Sequence, residues 1–340
     1  MNVAINGFGR IGRQVFRILF ERGHTVRWIN SRSDANSLVP LIKYDSTYGR
    51  FPADIREGGG QLLINDQTVR VTQYSSPYEI PWSELDIDLV VESSGKFFNR
   101  ADVSAHLRNG AKKVIISAPS PDADIDLVFG VNEHNYLPEK HHILSNASCT
   151  TNSMAAIMKV LDEQIGVQDA MMTTIHSFTN DQRLLDNAHK DPRRARAASV
   201  NIIPTSTGAA KAVARVLPAY EGHFDGIALR VPTPAGSLSD ISFYARREVS
   251  ASHINQVLRE AAETRLQGIV EYSEEPIVSS DIVGNPHSAV VDGGLTMVVG
   301  RMAKVFAWYD NEWGYSSRMV DMLELVQNSL KKAPPQLVGV

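Results

Sequence analysis

Gly7-Phe8-Gly9-Arg10-Ile11-Gly12 follows directly on the apolar run Asn2-Val3-Ala4-Ile5-Asn6 and opens a stretch with helical spacing. Few folds accommodate a strand, three glycines at this spacing and a helix in immediate succession. Gly7 permits the tight turn, Gly9 lets backbone approach a pyrophosphate, and Gly12 lets the helix pack close on the strand. Phosphates sit at such a helix N-terminus because its N–H groups and dipole favour negative charge. In the helix, Ile11, Val15, Ile18 and Leu19 fall on one face and Gly23 closes it. TVRWIN reads as a second strand, and a helix start follows at Asp34. IDLVVESSG and KKVIISAPS read as further strands, with the helical ADVSAHLRNG between them. Alternating strand and helix predicts a parallel, doubly wound sheet.

The pattern changes near residue 150. Long strand-like runs recur at DAMMTTIHSF, DGIALRVPT, SLSDISFYARREV, SAVVDGGLTMVVG and RMAKVFAWYD, which predicts a mixed or antiparallel sheet with few intervening helices. A chain of 340 residues exceeds one compact core, so two domains are expected. The fold class is therefore α/β: an N-terminal Rossmann sheet plus an α+β domain. The end, GYSSRMVDMLELVQNSLKKA, is amphipathic. A net charge of -4 gives no general case for nucleic acid or a membrane surface as partner. No run approaches the roughly 18 apolar residues of a membrane span. Arg10 and Arg13 interrupt what would be the apolar core of a secretory leader.

Cys149 is the one cysteine, which excludes an internal disulfide and fits a reducing compartment. SNASCTTNSMAAIMKVL places it at a loop-to-helix junction among capping-type residues. A thiol on the first turn of a helix is expected to have a lowered pKa, because the dipole stabilises the thiolate. The alternative is an ordinary N-cap with a bystander cysteine. A nucleophile also needs a base. His176, at the end of a strand-like run and flanked by polar residues, is the candidate; the alternative is a structural histidine. Lys190, Arg193, Arg194 and Arg196 precede a Thr/Ser/Gly cluster. Such a group is either a solvated basic face or a clamp for a phosphorylated substrate, since guanidinium matches phosphate oxygens. His141-His142 has no further spaced His or Cys ligands, so no metal is expected.

Taken together, INGFGRIGR, LIKYDSTYG, SNASCTTN, TTIHSFTNDQ, RRARAA, IIPTSTGAAKAV, LRVPTP and WYDNEWGYSSRM resemble the phosphorylating glyceraldehyde-3-phosphate dehydrogenases, in the family's order and almost end to end. The resemblance implies a cytoplasmic homotetramer. It implies a dinucleotide-binding domain over 1–148 and a catalytic domain over 149–314, with a helix over 315–332 packing back on the first. Cys149 would be the nucleophile and His176 its base. Thr179, Arg194 and Arg230 would hold the substrate's phosphate and the attacking inorganic phosphate. Ser148, Thr150, Thr207 and Gly208 would complete the inorganic phosphate site. Arg10, Ile11, Ser117 and Asn311 would contact the cofactor, beside Gly7, Gly9 and Gly12. Glycolytic, gluconeogenic and carbon-fixing members run the same chemistry. Erythrose-4-phosphate dehydrogenase shares the fold and the Cys/His pair, but HSFTNDQ and PTSTGAAKAV follow the glyceraldehyde-3-phosphate pattern.

The chain departs from that pattern in five places. Ser153 stands where many members carry a second cysteine, Pro192 replaces a common Leu, and Gln73-Tyr74-Ser75 replaces a more charged segment. The fourth is WINSRSD, residues 28–34. NAD-specific members resemble this chain except for Asp at the place of Ser31, where a carboxylate accepts from the ribose 2′-OH. Ser31 removes the repulsion toward a 2′-phosphate, and Arg32 adds a cation that can pair with it. Asn187-Ala188 also replaces a common Leu-Pro. The expected cofactor is NADP, alone or together with NAD.

Overall fold

The computed structural model describes residues 1–332 of the chain. These fall into two compact units: residues 1–126, 134–146 and from 316 onward, and residues 127–133 and 147–315. The sequence reading assigns 127–133 and 147–148 to the first domain. Val128, Val131 and Ala147 instead join the apolar core of the second unit, which draws these short segments into it.

In the first unit, the strand Val3–Asn6 leads through the glycine turn into α1 (Arg10–Glu21). It lies between Val26–Asn30 and Leu89–Glu92, parallel to both. The chain thus winds away from this strand in both directions, and the carboxyl ends of the three strands open a crevice of the kind that binds ligands in such sheets. Helices α2 (Ala35–Lys43) and α3 (Arg100–Arg108) are capped by Asp34 and Asn99, whose side chains accept from the N–H of Ser37 and Asp102. Among the described residues the sheet has nine strands. It is not wholly parallel: Gln61–Ile64 and Ile55–Gly58 extend one edge as an antiparallel meander from Gln67–Thr72. Their alternation is short and broken by Gly58, Gly59 and Gly60, so the run gives a weak strand signal.

Each fingerprint glycine has its own reason. Gly7 adopts φ +93°, and a Cβ there would lie 2.3 Å from the Ser94 backbone. A Cβ on Gly12 would lie 2.2 Å from the Gly7 carbonyl oxygen, which is the close helix–strand approach. A Cβ on Gly9 would meet open space, so its place on the crevice is set by what must approach from outside.

The segment LIKYDSTYG anchors α1. Arg10 makes a two-pronged pair with the buried Asp45 carboxylate at 2.6 and 3.2 Å, and Gln14 Nε2 donates to it at 3.1 Å. Arg17 donates to the Ile42 and Gly49 carbonyls at 2.9 and 3.0 Å. Burial alone would raise the Asp45 carboxyl. Arg10 and the backbone N–H groups of Thr47 and Tyr48 outweigh it and hold the pKa at about 2. A carboxylate whose pKa falls on folding stabilises the folded state above its unfolded value of roughly 4, and that contribution is lost as pH falls toward 2. Asp45→Asn should therefore cost about 2 kcal/mol at pH 7, with a deficit that narrows as pH drops from 4 toward 2. Denaturant titrations of both proteins at several pH values check this; a deficit that does not change with pH contradicts it.

Residues 316–332 of the C-terminal helix Trp313–Lys332 belong to the first unit. Arg22 pairs with Asp321 at 2.6 Å and with Glu324 at 3.2 Å, and His24 lies 2.9 Å from Glu324. Met319, Val320, Met322, Leu323 and Val326 are buried.

The second unit carries a seven-stranded mixed sheet. Within it, Val167–Ser177 runs parallel to Phe224–Val231 and antiparallel to the central strand Ser237–Ala245. One face is covered by α4 (Cys149–Ile165), α5 (Ala209–Val216) and α6 (Ala251–Glu263), whose buried side chains form one core with it. The sequence reading expects few helices here; α5 and α6 follow loops rich in small and polar residues and show short apolar faces. Side chains alternate along the strands, so Met171, Tyr244, Met297, Val299 and Met302 stand exposed.

Candidate active site

Cys149 is the first residue of α4. Ser148 caps the helix, its hydroxyl accepting from the Thr151 N–H at 3.1 Å. The preceding Ala147 sits at φ +51°, a left-handed conformation that costs an alanine on the order of 1 kcal/mol. That bend turns the chain from the strand into the helix, and Tyr315 OH donates to the Ala147 carbonyl at 3.1 Å.

His176 and Arg230 are register partners on neighbouring parallel strands, so their side chains share a face. Cys149 Sγ lies 3.4 Å from His176 Nε2. His176 Nδ1 lies 2.7 Å from the Ser177 carbonyl oxygen. That oxygen only accepts and calls for a proton on Nδ1, which would leave the Nε2 lone pair facing the thiol, whereas the Arg230 guanidinium only donates and calls for the opposite tautomer. Arg230 Nη1 lies 2.8 Å from the same Nδ1 and donates to the Ser177 carbonyl at 3.1 Å.

Burial pushes the Cys149 thiol up, against the pull of Arg230 and of hydrogen bonds from Thr150. Burial, reinforced by Arg230, pushes His176 down to about 3. The helix N-terminus alone predicts a lowered thiol pKa; dehydration is the stronger effect here. The pair consequently rests as a thiol beside a neutral imidazole, with a fixed cation alongside.

Tyr309 completes this centre and carries no motif of its own. Its hydroxyl lies 2.9 Å from Thr150 Oγ1 and 2.7 Å from Thr174 Oγ1, and its ring stands edge-on to His176 at 6.0 Å. The only sequence signal is its place in WYDNEWGYSSRM, facing inward on a strand. The Thr150 hydroxyl is thereby directed to Tyr309, and that of Ser148 to the helix cap.

The basic cluster separates. Arg194 donates to Thr205 Oγ1 at 2.9 Å, pairs with Asp181, and lies 3.5 Å from Asp191. Arg194 and Asp181 both act electrostatically on Arg230. Arg196 pairs with Asp186 at 3.0 Å on the exposed surface. Thr179 sits in a turn closed by Gln182, Thr207 Oγ1 accepts from the Ala209 N–H at 3.2 Å, and Gly208 is the exposed N-cap of α5. Asn311 is buried and accepts from Ser237 Oγ at 2.9 Å.

The crevice of the first unit is a cleft of about 320 Å³ lined by Gly7, Gly9, Asn30, Ser31, Arg32 and Ser94, among others. Ile11 lies in the first turn of α1, and Ser117 lies just beyond the strand Lys113–Ile116, its N–H donating to the Glu92 carbonyl at 2.9 Å. The Arg10 guanidinium is turned onto Asp45, so what α1 presents at the glycine turn is main chain. Ser31 Oγ accepts from the Ser33 N–H at 3.2 Å. The Arg32 side chain is exposed and lines the cleft.

A Rossmann unit with such a cleft, joined to a mixed-sheet catalytic domain, defines a dinucleotide-dependent oxidoreductase. Residues 1–100 match the NAD-binding domain of glyceraldehyde-3-phosphate dehydrogenase, and residues 148–311 match its C-terminal domain. Similar proteins include glyceraldehyde-3-phosphate dehydrogenase 2 of Streptomyces avermitilis, 50% identical over 97% of this chain and 99% of that one. The enzyme of Geobacillus stearothermophilus is 51% identical over 95% of this chain and 97% of its own. The chain belongs to the glyceraldehyde-3-phosphate dehydrogenase family.

Proposed function

We propose that the protein is a phosphorylating glyceraldehyde-3-phosphate dehydrogenase that uses NADP, alone or beside NAD. The observation that carries the chemistry is Cys149 Sγ at 3.4 Å from His176 Nε2, with Arg230 against the same imidazole. In this reading Cys149 Sγ bonds to the aldehyde carbon as its proton passes to His176 Nε2, and His176 returns that proton to the carbonyl oxygen, giving a hemithioacetal. His176 then takes the hydroxyl proton as the carbon is oxidised to a thioester. A bound nicotinamide supplies the hydride acceptor. Inorganic phosphate attacks the thioester carbonyl, the C–S bond breaks, and Cys149 is reprotonated.

Two anions must be held near one carbon. Arg230, whose Nε is buried with no partner among the described residues, and Arg194 supply the cations. Thr179, Thr207 and Gly208 lie in loops that suit phosphate, and Ser148 and Thr150 border the nucleophile. Asn311 would orient the nicotinamide carboxamide. The exposed Met171, Leu184, Leu185, Val200 and Val299, each at least 72% exposed, support a homotetramer that covers them. The single thiol suits a reducing cytoplasm.

Fit to the dinucleotide rests on the open approach at Gly9 and on the cleft around it. NADP use rests on Arg32: an exposed guanidinium beside Ser31 that makes no side-chain pairing among the described residues. Phosphate-dependent reduction of NADP with glyceraldehyde 3-phosphate is the direct test, with erythrose 4-phosphate compared by kcat/KM. A higher value for the four-carbon sugar overturns the substrate reading. Ser31→Asp should lower kcat/KM for NADP about tenfold or more, by repelling a 2′-phosphate, while sparing NAD. Unchanged NADP kinetics would show the position to be neutral.

A further inference from the structure

The run VVESSG closes the strand Leu89–Glu92 with a glutamate inside the sheet. Glu92, His106 and Asn6 are all buried. Glu92 Oε2 accepts from Asn6 Nδ2 at 2.5 Å and lies 3.1 Å from His106 Nε2; Oε1 accepts from the Ser94 N–H at 2.8 Å. Trp82 Nε1 donates to His106 Nδ1 at 2.9 Å. Indole N–H can only donate, so Nδ1 accepts and the His106 proton is on Nε2, aimed at Glu92. Asn6 Oδ1 in turn accepts from Asn30 Nδ2 at 2.8 Å. Asn30 Oδ1 accepts from Thr72 Oγ1 at 3.0 Å and from the Tyr74 N–H at 2.9 Å.

Two side-chain relays, Thr72–Asn30–Asn6 and Trp82–His106, converge on this one carboxylate, while Asn30 Nδ2 also donates to the Tyr74 carbonyl at 3.0 Å. The carboxylate orients the Asn6 amide, which orients the Asn30 amide immediately before Ser31-Arg32. Its other oxygen holds Ser94, the residue against which Gly7 turns. Asn6, Asn30, Ser31, Arg32 and Ser94 all border the cleft. We propose that Glu92, supported by His106, is a positioning residue that sets both rims of the dinucleotide cleft, the strand end carrying Ser31-Arg32 and the loop after its own strand. The inference rests on the dinucleotide reading of that cleft.

Glutamine is the informative replacement. A carboxylate accepts on both oxygens, whereas an amide must turn an NH₂ either toward Ser94 or toward Asn6 and His106, donor against donor. Glu92→Gln should weaken equilibrium binding of NADP and NAD alike by about tenfold. Thioester formation at saturating cofactor should stay within about threefold of wild type, because Cys149 and His176 belong to the other unit. A residue that only supports the fold would lower the folded fraction and leave the dissociation constant of what remains unchanged. A second pair covers poor folding of that variant. His106→Gln keeps a donor toward Glu92 and should retain affinity, whereas His106→Phe keeps a ring, loses the donor and should weaken binding. Wild-type dissociation constants in Glu92→Gln and His106→Phe, or an equal loss of kcat, overturn the proposal. Failure of the wild-type protein to bind either dinucleotide overturns the reading of the cleft instead.

Discussion

Cys149→Ser should abolish aldehyde oxidation, with kcat reduced by roughly 10⁴ or more. The serine hydroxyl is isosteric enough to keep the first turn of α4 and the Ser148 cap, so the loss is chemical. A hydroxyl is a far weaker acid than the thiol, and a neutral imidazole at 3.4 Å from Sγ cannot ionise it in the ground state. Single-turnover reduction of cofactor by aldehyde, without inorganic phosphate, isolates this step. A wild-type burst that survives in Cys149→Ser at more than about a hundredth of its rate would sink covalent catalysis.

His176→Asn should slow the same burst by about 10² to 10⁴, leaving the KM for aldehyde within a few-fold. The sign with pH follows from the environment. Burial and Arg230 hold His176 at about 3, so the imidazole stays unprotonated far below its ordinary range. The proton leaving Cys149 moves within the pair, and the resting pair neither gains nor loses protons between pH 8 and 5. The wild-type burst should therefore change less than about threefold across that interval. In His176→Asn the thiol must release its proton to solvent, so the residual rate should climb with pH. A wild-type burst that falls tenfold from pH 7 to 5 contradicts the buried-base description.

The parts of the site legible in the sequence are those built by neighbours in the chain. The glycine spacing, the thiol at a helix start and the Ser31-Arg32 pair are local patterns, and the structure places each at the element end that the pattern implies. Arg10 shows where such reading stops. Nothing local signals that its guanidinium pairs with Asp45, 35 residues away. Tyr309 reaches Thr150 and Thr174 across 159 and 135 residues. Such contacts follow from strand register, which periodicity does not reveal. The helix end alone does not set the Cys149 pKa, because burial, which pushes it up, is a property of the assembled unit. The Ile55–Thr72 meander carries only a weak strand signal, because glycines break its alternation.

The pairing of His176 with Arg230 has a consequence for durability. Their separation is set by the hydrogen-bonded ladder between two adjacent strands inside the sheet, not by a surface loop. Backbone openings that fray loops and termini leave such a ladder intact, and it parts only when most of the unit opens. Imidazole and guanidinium are thus held together for as long as the sheet itself survives, and local opening falls first on the loops that carry Thr179, Arg194 and Thr207.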